Sequence, residues 1–230
     1  MIIASLPTAV LCGRGSDRRL AGTQRATPGS ALMLLYDSSV SGNCYKVRLV
    51  FAQLGLEYER RELSVVDRSN RMDVLGELNP ALRVPTLILD DGRALAESHA
   101  ITWYFAEGTP LVPEDRYERA KVLQWLCFEQ YDLEPTIAVV RFWVAFSASP
   151  PPSAEIEAKR AAGYRALDAL ERGLTGEEFL VGGRYTLADI ALYAYTHVAG
   201  EGGFDLSGYP AILSWIDRVA GQRGHVPITA

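Results

Sequence analysis

Two short stretches of this chain carry side chains able to hold and polarise a small ligand. The first is Asp37-Ser38-Ser39-Val40-Ser41-Gly42-Asn43-Cys44, which offers hydroxyls, a carboxamide and a thiol just ahead of an apolar-faced helix. A hydroxyl or amide at a helix start can donate to an anion that the free N–H groups and the helix dipole already favour. The second is Glu97-Ser98, ahead of another helical stretch. There the Ser98 hydroxyl and the first N–H groups suit a carboxylate, and Glu97 suits an ammonium. Between them lies Arg83-Val84-Pro85, where a proline opens a strand, a position tolerated only at a strand start or edge. Ser41-Gly42-Asn43-Cys44 has the frame of a redox Cys-x-x-Cys with serine in the nucleophile's place, so dithiol chemistry is not available. Cys44 then reads as a buried helix residue, and Lys46 and Arg48 read as ordinary helix-face charges. His99, His197 and His225 have no metal-ligand spacing, and no metal is expected.

The elements that must position these residues are legible from periodicity. Leu32 to Tyr36 is an apolar run of strand length; Val47, Val50, Phe51 and Leu54 then fall on one helical face, with Gly55 as the stop. Glu57 to Leu63 reads as a polar edge strand and Ser69 to Leu78 as a short helix ended by Asn79-Pro80. Val84 to Leu89 and Ala94 to Ala96 flank an Asp-Gly turn and make a hairpin. Ser98 is placed to cap a helix containing Ile101, Tyr104 and Phe105. After Pro113 the pattern is helical throughout, over 114–147, 153–173, 186–199 and 209–222, and Thr186-Leu187-Ala188-Asp189 resembles a capping box. The expected organisation is an extension over 1–31 that is disordered or non-native, an α/β domain over 32–109 and an all-helical domain over 114–230.

A net charge of −5 argues against nucleic acid or an anionic membrane surface as a main partner. Three cysteines are too few and too oddly numbered for a disulfide framework, and fit a reducing, cytoplasmic compartment. No apolar run approaches the roughly 18–20 residues of a membrane span, so no membrane association is expected.

The order β-α-β-α-β-β-α followed by helices is thioredoxin-like. Three segments, Ser41 to Leu49, Leu78 to Leu87 and Glu97 to Ile101, resemble the amino-terminal domain of bacterial glutathione transferases in order and spacing. Tyr185 to Ile190 is similar to the family's helical-domain folding motif. The resemblance covers about 190 residues, all but the extension. It implies the glutathione-transferase fold, with a thioredoxin-like α/β domain joined to an all-α domain. By similarity to serine-type members Ser41 donates to the glutathione sulfur, and Asn43 stands where some members place a second thiolate contact. Val84-Pro85 resembles the family's cis-proline step, whose Val84 N–H and C=O would pair with the cysteinyl backbone. Arg83 would reach the glycyl carboxylate, and Glu97 and Ser98 the γ-glutamyl end. Read from the residues alone, Ser41 could simply cap its helix, and Ser38, Ser39 or Tyr36 could be the donor instead.

The chemistry this implies is modest in energy. A free thiol with a pKa near 8.5 is only about 3% thiolate at neutral pH, and lowering it by about 2 units costs about 2.7 kcal/mol. A hydrogen bond to a charged group contributes about 1.5–3 kcal/mol, so one or two donors suffice. The expected activity is attack of the glutathione thiolate on a small hydrophobic electrophile, as in detoxification. The alternatives are glutathione-dependent disulfide or peroxide reduction on the same site, and a non-catalytic glutathione- or partner-binding module. The family implies a homodimer. A second substrate belongs between the domains, with Phe128, Tyr131, Arg141 and Phe142 as candidates near Val40.

Overall fold

A computed structural model describes residues 32–230; the extension expected over 1–31 lies outside them. Four strands form one mixed sheet in the order β2-β1-β3-β4. Strand β1 (Met33–Asp37) runs parallel to β2 (Tyr58–Glu62) and antiparallel to β3 (Thr86–Ile88), which pairs with β4 (Ala94–Ala96) across the Asp-Gly turn. Helix α1 (Gly42–Leu54) links β1 to β2, as a parallel pair requires. It ends at Gly55, whose φ of 66° is the left-handed conformation glycine adopts freely, and Leu56 N–H closes on Phe51 C=O at 2.9 Å. The helix expected over 69–78 is only α2 (Arg71–Leu75), with no side-chain cap at Asn70 to extend it. Helix α3 (Ser98–Ala106) follows β4, and the α/β half is thioredoxin-like.

The helical half opens with α4 (Arg116–Phe128), capped by Asp115, whose carboxylate accepts the Glu118 N–H at 2.9 Å. A π-helical segment, Glu129–Ala138, and α5 (Val139–Ala145) continue the same rod, so the long helix expected over 114–147 has a widened middle. The periodicity concealed this, although Pro135 was a signal. Proline removes one N–H and collides with the carbonyl four residues back in an α-helix, and the wider turn relieves both. Helices α6 (Ser153–Leu174), α7 (Leu187–Thr196) and α8 (Pro210–Ala220) complete the half. No described helix is long and apolar enough to cross a membrane.

Helix α7 starts with a full capping box, and Asp189 is buried there with four donors: Thr186 N–H and Oγ, Leu180 N–H and Trp215 Nε1. Leaving either of the last two unmet in the core would cost about 1–3 kcal/mol. Through Leu180 and Trp215 this one carboxylate ties α7 to the loop before it and to α8. One continuous apolar core runs from the sheet through α1 into the helical half, joining Leu35, Leu49 and Phe51 to Ile137, Leu192 and Trp215. Helix α1 lies inside it: every residue from Cys44 to Phe51 is buried, Lys46 and Arg48 included.

Candidate functional site

The site is organised around the first turn of α1. Ser41 is the N-cap, with extended backbone (φ −82°, ψ 122°), and its Oγ accepts the Cys44 N–H at 3.3 Å. In the same turn, the Asn43 N–H is accepted by Tyr195 Oη at 3.2 Å. The loop ahead of Ser41 is held by its carbonyls. Arg48 Nη1 donates to Ser38 C=O (3.1 Å), Arg48 Nη2 to Ser39 C=O (3.2 Å) and Arg141 Nη1 to Val40 C=O (2.7 Å). Arg48 also pairs with the buried Asp37 at 2.6 Å and donates to Ile228 C=O from the carboxy-terminal segment. Neither Lys46 nor Arg48 is the surface charge that the sequence suggested. A helix enclosed on all sides has no solvated face, so its cations must find partners within the fold.

The Lys46 ammonium meets Glu129 Oε1 (2.7 Å), from the π-helical segment, and Asn43 Oδ1 (2.8 Å). Glu129 is itself fully buried and touches His99 Nε2 at 3.2 Å. Asn43 is a hub: Oδ1 also accepts from Ser98 Oγ (3.3 Å), and Nδ2 donates to Glu134 Oε1 (2.8 Å). Ser98 therefore does not cap α3 as expected. It is the first residue of that helix, Glu97 occupies the cap position without a side-chain bond, and the Ser98 hydroxyl turns to Asn43 instead. Glu97 holds φ at 70°, a conformation that costs a non-glycine residue about 1–3 kcal/mol and concentrates at functional sites.

Six of the seven residues singled out from the sequence, namely Asn43, Arg83, Val84, Pro85, Glu97 and Ser98, line one polar cavity of about 260 Å³. The Val84–Pro85 peptide is cis, and neither the amide nor the carbonyl of Val84 has a backbone partner among the described residues. The seventh, Ser41, lines a smaller cavity of about 80 Å³ with Val40, Val65, Arg141, Phe142, Phe146 and Tyr195. A shallow hollow bridges the two, sharing Arg68, Arg83 and Val84 with the first and Val65 with the second. Of the candidates for a second substrate, Arg141 and Phe142 line the Ser41 cavity. Phe128 instead packs edge-on against Trp125 at 5.4 Å, and Tyr131 is 85% exposed. Among the alternative donors, Ser39 Oγ is spent on Glu62, and Tyr36 packs with Leu63 and Leu75 on the α2 side.

Sequence reasoning missed Arg68, Gln130 and Glu134, all of which line the polar cavity. Arg68 lies in a polar loop without periodicity, and the other two are turned inward by the π-helical segment. The cavity is thus bipolar, with Arg68 and Arg83 supplying positive charge and Glu97 and Glu134 negative charge. Such a lining suits a flexible zwitterion with its charges at separate ends. Cys44 is inert by comparison: burial, and then the Asp37 charge, push its thiol well above the usual range. Cys127 is exposed on a separate apolar groove of about 920 Å³ between α3 and α4, lined also by Trp103, Tyr104 and Leu123.

The buried pair yields a pH prediction. Burial pushes the Glu129 carboxyl up, but the Lys46 ammonium and the His99 contact outweigh it and hold the group at about 2. A carboxyl depressed from 4.5 to about 2 contributes stability that is complete above pH 4.5 and is lost as pH falls through that window. Glu129→Gln should cost about 3–5 kcal/mol at neutral pH by leaving a buried cation without its counter-charge, and should flatten the acid limb. The double variant Lys46→Met/Glu129→Leu should recover most of the loss. Urea denaturation from pH 2 to 7 measures both effects; a Glu129→Gln variant as stable as the parent would refute the assignment.

Residues 40–107 match the family model of the glutathione S-transferase N-terminal domain, and residues 119–223 match that of the C-terminal domain. A crystal structure of glutathione S-transferase from Pseudomonas fluorescens Pf-5 is similar at 43% identity and a TM-score of 0.83, covering 87% of this chain and 100% of that one. The glutathione S-transferase-like protein LUC7 of a Fusarium species is 30% identical over 194 residues, 80% of this chain and 86% of that protein. Elongation factor 1-gamma of Artemia salina is 30% identical over 172 residues, which are 73% of this chain and 40% of that protein. Both halves of the chain, in order, thus carry the same signature, and the chain belongs to the glutathione S-transferase family.

Proposed function

We propose that the protein is a glutathione transferase that binds glutathione along the cleft at the start of α1 and holds its thiol ionised for attack on a small hydrophobic electrophile. The observation that carries this reading is the Ser41 hydroxyl. Its oxygen accepts from Cys44 N–H, and its own proton has no oxygen or nitrogen acceptor among the described residues, only the weakly accepting Cys44 sulfur within reach, at the positive end of a 13-residue helix. The bipolar cavity supports the rest. Arg83, with Arg68, would take the glycyl carboxylate; the Val84 backbone would pair with the cysteinyl unit; Glu97 and Ser98, with Glu134, would take the γ-glutamyl end. Asn43 would then act through its second amide hydrogen, the first being committed to Glu134. The electrophile would lie against Val40, Phe142 and Phe146 in the cavity that Ser41 lines. No metal is required for the roughly 2.7 kcal/mol involved.

The relationship to an elongation factor keeps a second reading in view, a binding module that retains glutathione without turnover. Activity with chloro-dinitrobenzene separates the two, and activity with hydroxyethyl disulfide or a hydroperoxide would mark reduction on the same site. Ser41→Ala should keep glutathione affinity within a few-fold while lowering kcat/KM about ten- to hundredfold, the worth of one donor to a charged group. Unchanged activity in that variant would remove Ser41 from the mechanism. Retention on immobilised glutathione with no turnover of any of the three substrates would favour the binding module.

The same reading includes a cytosolic homodimer. Its proposed interface is the apolar groove between α3 and α4, where Tyr104 and Leu123 are about half exposed and adjoin Trp103 and Cys127. The groove shares Gln130 with the polar cavity, so a second copy seated there would border the ligand. Sedimentation should give a dimer for the parent and a monomer for Leu123→Glu. A monomeric parent at micromolar concentration would refute the interface.

A further inference from the structure

Tyr195 takes no part in the site anticipated from the sequence, yet it lies at its centre. It comes from the last turn of α7, in the helical half, and reaches across to the first turn of α1. Its oxygen accepts the Asn43 N–H, and its ring lies so close over Gly42 that a Cβ there would sit 2.5 Å from the ring carbon Cε1. Only a bare backbone admits that approach, which gives the glycine after Ser41 a physical reason. Ser41 and Tyr195 thus do the same thing on consecutive amides: one hydroxyl oxygen accepts from Cys44 N–H, the other from Asn43 N–H.

Both hydroxyls also have the same deficit. Neither proton has an oxygen or nitrogen acceptor among the described residues, and both side chains line the same small cavity. For a side chain only 7% exposed, an unspent hydroxyl proton is costly unless something fills the cavity and accepts it. The charges around the ring are mixed, with Glu134 and Glu129 near it as well as two cations. Lys46 Nζ lies 5.5 Å from the ring centroid, the helix start contributes positive potential, and Arg141 lines the same cavity. The case for an electron-rich occupant therefore rests on two O–H donors lining one cavity at a helix start, not on the net charge around them.

We infer that Tyr195 is a second hydroxyl donor to the glutathione sulfur, opposite Ser41 across the first turn of α1, and hence a catalytic residue; the inference rests on the glutathione reading above. The step is a hydrogen bond and not a proton transfer. The thiol proton leaves to solvent as the sulfur ionises, while Tyr195 keeps its own. Burial first, and then the Glu134 and Glu129 charges, push the Tyr195 hydroxyl well above its ordinary value, so it remains a donor across the working pH range.

The test is titration of enzyme-bound glutathione by its thiolate ultraviolet absorbance, in the parent, Tyr195→Phe, Gly42→Ala and Ser41→Ala proteins. Tyr195→Phe keeps the ring and removes the donor; Gly42→Ala keeps the hydroxyl and displaces the ring. Both should raise the thiol midpoint by about one unit, a tenfold fall in acid dissociation, with glutathione still bound. A merely structural role would lower melting temperature and leave the midpoint in place. A parent midpoint lowered from the free value, shifted by Ser41→Ala but unmoved by both other variants, would overturn the Tyr195 assignment alone. A parent midpoint at the free-thiol value would overturn the glutathione reading and this inference with it.

Discussion

Helix α1 has no face to the solvent, and the rest of the site follows from that constraint. A helix buried on every side ordinarily carries apolar residues all round, yet this one carries Lys46 and Arg48. Desolvated cations are tolerated only when paired and hydrogen-bonded, so each dictates the placement of a neighbouring segment. Arg48 gathers Asp37 and the carbonyls of Ser38 and Ser39, which fixes the loop leading into Ser41. Lys46 draws in Glu129 and Asn43, which fixes the π-helical segment against the same helix start.

Those two anchors make the polar cavity a joint product of both halves of the chain. The α/β half contributes Arg83, Val84, Glu97 and Ser98, while the π-helical segment adds Gln130 and Glu134. The wider helical turn around Pro135 has a consequence for chemistry as well as for packing, since Glu129 and Glu134 both reach α1 from it. Such segments recur at functional sites. Arg141, one turn further along the same rod, clamps Val40 and lines the neighbouring cavity. Loop, helix start and the cavity beside Ser41 are therefore held by one continuous piece of the helical half, and the geometry of the candidate site and domain packing cannot vary independently.

What was legible in the sequence was local. Ser41, Val84-Pro85 and Glu97-Ser98 declare themselves through neighbours one or two residues away, because caps, proline steps and helix starts are short-range devices. The thioredoxin-like half and the helical half were legible for the same reason, through periodicity and turn residues. What was not legible depends on contacts between distant segments. Tyr195 meets Asn43 across 152 positions, and Lys46 meets Glu129 across 83. No local pattern distinguishes a buried lysine from a solvated one, and Ser98 looked like a cap because its true partner, Asn43, lies 55 residues earlier. Gly42 and Pro135 were the two residues whose types hinted at the missing parts, one by needing no side chain and the other by not fitting an α-helix.

The central claim is spatial: the reacting sulfur rests at the first turn of α1, between a hydroxyl from each half of the chain. A crystal structure of the protein with glutathione tests it most directly. The account predicts the sulfur within about 3.5 Å of both Ser41 Oγ and Tyr195 Oη, with the two ends of the tripeptide on the arginine and glutamate sides of the polar cavity. A sulfur out of hydrogen-bond reach of both hydroxyls, or a tripeptide seated in the α3–α4 groove instead, would contradict it.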